Sequence, residues 1–238
     1  MESEQLRNSL LSALSHDLRT PLTVLSGLAE SMNIAGPPLP KEQADIANAI
    51  RDEALRTSVL VSNLLDMARL QSGDVKLCRD WQPLEEVIGV ALQSRATMLA
   101  EHAVNISLPA DLPMLYFDSI LMERVFCNLL ENAAKYTPSG SVITISAKCA
   151  GKNIEISVED NGPGLPAGKE EALFAKFARG RSESTVSGVG LGLSIVKAIV
   201  EAHDGTIRAE KSILGGARFV ITMPCGEAPE VPKEEIPW

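Results

Sequence analysis

Between Leu6 and Met32 the apolar residues Leu10, Leu14, Leu18, Leu22 and Leu25 return every three or four positions, the period of one helix face. The turn signal Ala35-Gly36-Pro37-Pro38 ends that helix. A second run, Ile46, Ile50, Ala54, Thr57, Val61, Leu64 and Ala68, alternates steps of four and three up to Ser72-Gly73, as a coiled-coil seam does. The pattern predicts a helical hairpin over 1–73. Two helices cannot enclose a core, so a second copy is expected to complete a four-helix bundle, which makes the hairpin a dimerisation domain and the protein a homodimer.

Past a linker at 74–80 the period changes. Amphipathic helices are predicted at Leu84–Ala100 and Ser119–Lys135, interleaved with segments that alternate with period two. Ile143, Ile145 and Ala147, then Ile154, Ile156 and Val158, then Ala217, Phe219 and Ile221 each put their larger apolar residues on one strand face. This reads as an α/β two-layer sandwich over 81–225, with helices on one side of the sheet. The acidic, proline-bearing tail at 226–238 has no period and is expected to be disordered.

Composition narrows the partners. The 238 residues suffice for two small domains. No apolar run reaches the roughly 18 residues of a membrane span, and no secretory signal heads the chain, so this segment is expected to make no membrane contact. A formal charge of −9 disfavours nucleic acid as a partner, because backbone affinity needs clustered cations. Any phosphate bound here must be held locally. Cys78, Cys127, Cys149 and Cys225 are scattered without a C-x-x-C pair, which gives a zinc or disulfide framework little support.

His16 lies within Ser15-His16-Asp17-Leu18-Arg19-Thr20-Pro21-Leu22, and helical placement sets it opposite the leucine stripe, toward solvent. A neutral imidazole there can attack phosphorus with one nitrogen while the other keeps its proton, steadied by Asp17. Thr20, one turn on, is placed to position water for the reverse reaction. Pro21 removes a helical hydrogen bond and predicts a local bend. Residue types alone also suit an ordinary surface histidine.

Four further clusters carry chemistry. Asn128, Asn132 and Lys135 share one face of the second predicted helix of the sandwich, with Tyr136 beside them. Asparagine oxygen suits a phosphate-held Mg²⁺ and Lys135 offsets phosphate charge, although a solvated helix face would look the same. Asp160-Asn161-Gly162-Pro163-Gly164 closes an alternating strand. It reads either as a hairpin turn or as a base-binding corner, where Asp160 accepts the adenine amine and Gly162 and Gly164 let backbone approach it. Gly188-Val189-Gly190-Leu191-Gly192 opens a helix, so its N–H groups and dipole can bind triphosphate without a basic patch. Between these, Phe177 and Arg179 head a polar stretch that reads as a lid, with Phe177 as its anchor and Arg179 reaching phosphate.

In this order the clusters resemble the catalytic core of sensor histidine kinases from about Arg7 to Met223. His16-Asp17-Leu18-Arg19-Thr20-Pro21-Leu22 is similar to the phosphoacceptor box, with aspartate in place of glutamate. The resemblance implies an ATP-binding domain of the histidine kinase, gyrase and Hsp90 type. It makes His16 the phosphoacceptor, Asp17 the acid-base group, Asn132 the Mg²⁺ ligand, Asp160 the adenine anchor, and Gly188, Gly190 and Gly192 the phosphate loop. It further implies phosphotransfer to the receiver domain of a response regulator, and phosphatase activity toward that regulator. The runs Leu64-Leu65-Asp66-Met67-Ala68-Arg69-Leu70 and Lys176-Phe177-Ala178-Arg179-Gly180 look most like the potassium-responsive KdpD subfamily. By that likeness this is the cytoplasmic segment of an inner-membrane sensor of potassium or turgor.

Two departures matter. Gyrase-type ATPases activate water with a glutamate where this chain has Asn128, and an amide is no general base. The family usually has two glycines after the histidine at His203, whereas this chain has Asp204-Gly205, which puts that turn in question. His203 itself reads as a helix C-terminal residue. A non-catalytic scaffold that binds ATP only to set its conformation is the rival reading.

Overall fold

The computed structural model describes residues 2–71, 77–166, 168–175 and 190–226. The chain divides into two compact units, Met1–Val75 and Lys76–Trp238. The first is a hairpin of α1 (Glu2–Ile34) and α2 (Lys41–Gln71). Small side chains let the helices approach: Ala29 on α1 and Ala47 and Ala54 on α2 are buried. Lower on α2, Leu65 and Met67 are buried too, and near the turn Asn33 donates to Asn48 at 3.0 Å.

The leucine stripe is not spent inside the hairpin. Leu18, Leu25, Leu28 and Met32 of α1 and Ile46, Ile50, Val59 and Leu64 of α2 are exposed. Of the predicted α2 seam, Ala54 is buried, Thr57, Val61 and Ala68 are half-buried, and Ile46, Ile50 and Leu64 are exposed. α1 continues through Pro21, where Thr23 Oγ1 donates to the Arg19 carbonyl at 3.0 Å.

In the second unit a ribbon of β1 (Asp80–Gln82) and β3 (Leu115–Phe117) stands apart from a five-stranded sheet. That sheet contains β2 (Ala103–Ser107), β4 (Val142–Ala150), β5 (Asn153–Asp160), β6 (Thr206–Lys211) and β7 (Ala217–Pro224), in the order β2-β4-β5-β7-β6. All its pairs are antiparallel except β2 with β4. Register aligns Ala147, Ile156 and Ile221 in one row and Ile145, Val158 and Phe219 in the next, so the inward residues form continuous ridges. The helices that complete the core are α3 (Leu84–Ser94), the short α4 (Ala96–Leu99), α5 (Ser119–Tyr136) and α6 (Gly192–Ala202). Their buried stripes carry Leu84, Val87, Ile88 and Ala91 on α3, Met122, Val125, Phe126, Leu129 and Leu130 on α5, and Ile195, Val196, Ile199 and Val200 on α6. The helix expected at Leu84–Ala100 is therefore two pieces that meet at Arg95. On the opposite sheet face Ser157, Val220 and Glu159 are buried as well.

One polar cluster joins the far ends of α5 and α6. Asp118 caps α5, with Oδ1 accepting from Leu121 N at 3.2 Å and Oδ2 from Cys78 N at 3.0 Å. Its own N–H donates to His203 Nε2 at 3.0 Å, so that nitrogen is unprotonated and Nδ1 donates to the Ile199 carbonyl at 2.8 Å. His203 is at the helix C-terminus as expected, held there as a neutral hydrogen-bonding group. Asp204 follows with φ 61°, a left-handed conformation that favours glycine. The turn closes nevertheless, through Gly205 N to the Val200 carbonyl at 2.9 Å. Arg79 compensates the strain, bonding Asp204 Oδ2 at 2.7 Å and the Ala202 carbonyl at 2.6 Å.

Burial drives the His203 pKa below the usual histidine value; the Ile199 carbonyl opposes this, Arg79 adds to it, and Asp118 and Asp204 oppose it. With the folded value below the unfolded one, the stabilisation is complete above about pH 6.5 and is lost as pH falls through the folded value. The free energy of urea unfolding is therefore expected to decrease as pH drops below about 6.5, by up to about 1.4 kcal/mol per pH unit. His203→Gln, which cannot gain a proton, should remove that part of the slope; an unchanged slope would contradict the neutral assignment.

Candidate functional site

α5, the end of β5 and the start of β7 enclose a cavity of about 850 Å³, ample for a nucleotide. Its walls include Asn132, Lys135 and Tyr136 from α5, then Thr137, Asp160 at the end of β5, and Gly162 and Gly164 beyond it. Leu173, Leu193, Ala217 and Phe219 supply apolar surface. Phe219 is braced edge-on by Phe174, with ring centroids 6.4 Å apart.

The alternation of β5 explains where Asp160 lies. Val158 points into the core, so Asp160, two residues on, points to the same face at the rim where the core gives way to the cavity. It is 6% exposed. A buried carboxylate needs donors, and Oδ1 receives two: Gly162 N at 2.9 Å and Ala217 N at 3.1 Å. Both fall on one oxygen, so Asp160 lines the cavity with Oδ1 engaged by backbone.

The glycines around it are required by contact and by backbone. A Cβ on Gly162 would stand 2.5 Å from Thr137 Cγ2. Gly164 has φ 81° and lies against the Gly215 and Gly216 carbonyls. At Gly216 a Cβ would come within 2.1 Å of Asp160 Oδ1.

Asn128 is not among the cavity walls. Its Nδ2 donates to the Arg124 carbonyl at 2.8 Å, and its Oδ1 would stand 2.9 Å from a Cβ on Gly192. It thus meets the first turn of α6. Gly190, with φ 72°, Leu191 and Gly192 lead into that helix without lining the cavity; Leu193 is the α6 residue that does. No side chain caps the α6 N-terminus among the described residues, which leaves its first N–H groups directed at whatever lies before it. Lys135 Nζ lies 6.0 Å from the Tyr136 ring centroid.

Phe177, Arg179 and Gly188 lie outside the described residues. His16 is on α1, its side chain also outside them; Asp17 and Thr20 follow, both exposed. Among the described residues no group of three or more His, Cys, Asp or Glu side chains can hold a metal, and no helix is long and apolar enough to cross a membrane.

Thr137, Leu173, Leu193, Ala217 and Phe219 line the cavity although their positions in the sequence do not single them out as site residues. Thr137 carries only the signal of following Lys135-Tyr136 directly. Ala217 and Phe219 read as strand core, which they also are.

Two family models match this chain: the His Kinase A (phospho-acceptor) domain over residues 6–73, and the histidine kinase-, DNA gyrase B- and HSP90-like ATPase over residues 117–227. The chain belongs to the sensor histidine kinases. Sensor protein KdpD of Escherichia coli (strain K12) is 51% identical over 230 residues, 97% of this chain and 26% of that protein. Sensor protein KdpD of Mycobacterium tuberculosis (strain ATCC 25618 / H37Rv) is 36% identical over 94% of this chain and 27% of its own length. This histidine kinase segment therefore spans about a quarter of these curated relatives. Among solved structures, full-length ShkA in complex with AMPPNP matches with TM-score 0.76 and 25% identity, covering 91% of this chain and 45% of that one. The two domains of this chain are the phosphoacceptor and ATP-binding parts of a histidine kinase.

Proposed function

We propose that this chain binds Mg²⁺-ATP in the α5/β5/β7 cavity and transfers the γ-phosphate to His16, from which it passes to an aspartate on a response regulator receiver domain. The observation that carries the reading is Asp160, which lines the cavity at the end of β5 with two backbone N–H groups on Oδ1; in this reading its Oδ2 accepts the exocyclic amine of adenine and not the carbonyl of guanine. Gly162 and Gly164 admit the base. The α6 N-terminus, with Gly188 and Gly190 before it and Gly192 as its first residue, binds the phosphates through N–H groups and dipole. Lys135 adds charge, Tyr136 adds contact surface, Leu191 lends its backbone to the glycine segment that meets the phosphates, and Phe177 and Arg179 are assigned to nucleotide contact.

The cavity's donors fit a metal carried in by the nucleotide. Asn132 offers one hard, neutral oxygen, which suits Mg²⁺ already bound to phosphate and does not suit a metal held by protein alone. When bound, the ion balances charge developing on the phosphates.

His16 acts as a neutral nucleophile with Asp17 holding its proton. In-line transfer needs its nitrogen within about 3–3.5 Å of phosphorus. Asn128, an amide spent on Arg124 and α6, cannot activate water, which favours transfer over hydrolysis. Thr20, exposed one turn beyond His16, supports a second activity, water-mediated removal of phosphate from the regulator. The exposed apolar stripes of α1 and α2 support a homodimer closed as a four-helix bundle. Likeness to KdpD supports a potassium or turgor sensor anchored in the inner membrane, with this segment in the cytoplasm.

Incubation with Mg²⁺ and γ-labelled ATP tests the reading. The expected label is acid-labile, base-stable and absent in His16→Gln. Nucleotide binding without labelling would instead establish the scaffold.

A further inference from the structure

Glu159 is a carboxylate that is 9% exposed on the sheet face opposite the cavity, where neither apolar packing nor the proposed chemistry calls for it. Its Oε2 accepts from Ser212 Oγ at 2.8 Å. Ser212, 3% exposed, begins the turn between β6 and β7 and controls it from three atoms. Its Oγ also accepts from Leu214 N at 2.9 Å, its N–H donates to the Gly216 carbonyl at 2.8 Å, and its carbonyl accepts from Gly215 N at 3.1 Å. The same turn then builds one wall of the adenine corner. The Gly215 and Gly216 carbonyls back Gly164, the Gly216 Cα stands against Asp160, and Ala217 N donates to Asp160 Oδ1.

The two carboxylates are sequence neighbours on opposite faces of β5, and both end on this turn. Asp160 binds its exit directly, and Glu159 binds its entrance through Ser212. We infer that Glu159 and Ser212 are positioning residues that fix the 212–216 turn against Asp160 and thereby set adenine affinity and selectivity. The inference rests on the proposed role of Asp160 as the adenine acceptor. Without the Glu159–Ser212 bond the turn can shift along β7, Ala217 N moves off Oδ1, and Oδ2 loses its aim. The phosphate end of the site, built on α6, has no part in this linkage.

Four variants of the full chain test it, each measured for ATP and GTP dissociation constants, for the rate of His16 labelling at saturating Mg²⁺-ATP, and for thermal midpoint. Ser212→Ala is expected to weaken ATP binding about tenfold, the equivalent of one hydrogen bond lost, with GTP binding little changed, so that selectivity falls. The labelling rate at saturation should stay within about twofold, giving a change in KM without a matching change in kcat. Glu159→Gln keeps a carbonyl for the Ser212 hydroxyl and should remain within about threefold of the parent. Ser157→Ala is the control for general sheet damage: it removes a 2.7 Å hydroxyl pair with Ser146 on the same sheet, opposite Val220 and outside the hydrogen-bond set of the turn, and should lower the midpoint without altering selectivity. The inference is overturned if Ser212→Ala binds ATP like the parent, or if Ser157→Ala shifts selectivity as much. Asp160→Asn separates the two levels. If it too leaves ATP binding intact, the reading of the adenine corner has failed; if it abolishes binding while Ser212→Ala does nothing, only the positioning role has.

Discussion

Asp160→Asn is expected to weaken ATP binding by about a hundredfold or more while the protein remains folded. Asparagine keeps an oxygen for Gly162 N and Ala217 N, the two bonds that hold the corner together. The change is confined to the other atom, where an N–H₂ group replaces Oδ2 and, in the proposed adenine contact, faces the amine donor to donor. That loses a charge-assisted hydrogen bond and leaves a buried donor unpaired, a penalty of about 3 kcal/mol. The alternative, with the amide flipped, satisfies the ligand and turns N–H₂ on the two backbone N–H groups, which costs the fold as much as it returns to binding. Calorimetric titration with ATP and a thermal melt check both halves. A variant that still binds ATP within about threefold would remove Asp160 from the adenine contact. A variant that unfolds would show that its carboxylate serves structure first.

Much of this arrangement was legible in the residues because it is local. The apolar steps of α1 and α2 are periodic over many turns, and the inward rows Ile143–Ala147, Ile154–Val158 and Ala217–Ile221 alternate cleanly and are buried throughout. Asp160 and its glycines stood out for the same reason, as a strand ending in turn residues. What escaped is non-local or short. β2 pairs in parallel with β4, a crossover that no local signal announces, and its residues are mostly exposed. β6 is an edge strand of charged and small residues, Thr-Ile-Arg-Ala-Glu-Lys, in which alternation has little to bury. The ribbon of β1 and β3 is three residues deep on each side, closed by Trp81 on Tyr116 with ring centroids 5.3 Å apart.

The same division runs through the site. Asn132, Lys135 and Tyr136 share a cavity because they share a helix end, but Asn128, one turn earlier, is drawn to α6 by the close approach at Gly192. Helical spacing placed the three polar residues on one face; it held no information about the neighbour that would cover part of that face. Ala217 and Phe219 enter the cavity only through the pairing of β7 with β5, Val158 opposite Phe219 and Glu159 opposite Arg218. Asp204 shows the converse. A residue that looked wrong for its turn is held in the left-handed region, with its carboxylate taken by Arg79 from the far side of the sequence.

Gly216→Ala should be the most damaging single-methyl change in the ATP-binding domain, and its argument needs no ligand. The added carbon would stand 2.1 Å from Asp160 Oδ1, 2.4 Å from the Asp160 carbonyl oxygen and 2.5 Å from Gly162 N. Two of these are backbone atoms of a paired strand and its turn, so no rotamer change relieves them, and the third is held by two N–H donors. β7 must therefore separate from the end of β5, at a cost of about 3 kcal/mol or more, and the adenine corner opens with it. Gly140→Ala supplies the comparison. Its φ is 83°, so an alanine there is strained by backbone alone, yet a Cβ meets nothing within 4 Å; about 1 kcal/mol is expected. Urea unfolding of both variants separates steric conflict from conformational strain. If Gly216→Ala is no worse than Gly140→Ala, the turn is loose enough to yield, and a turn that yields cannot be what aims Asp160. If it is much worse and ATP binding vanishes with it, the corner depends on backbone packing that only hydrogen sits small enough to permit.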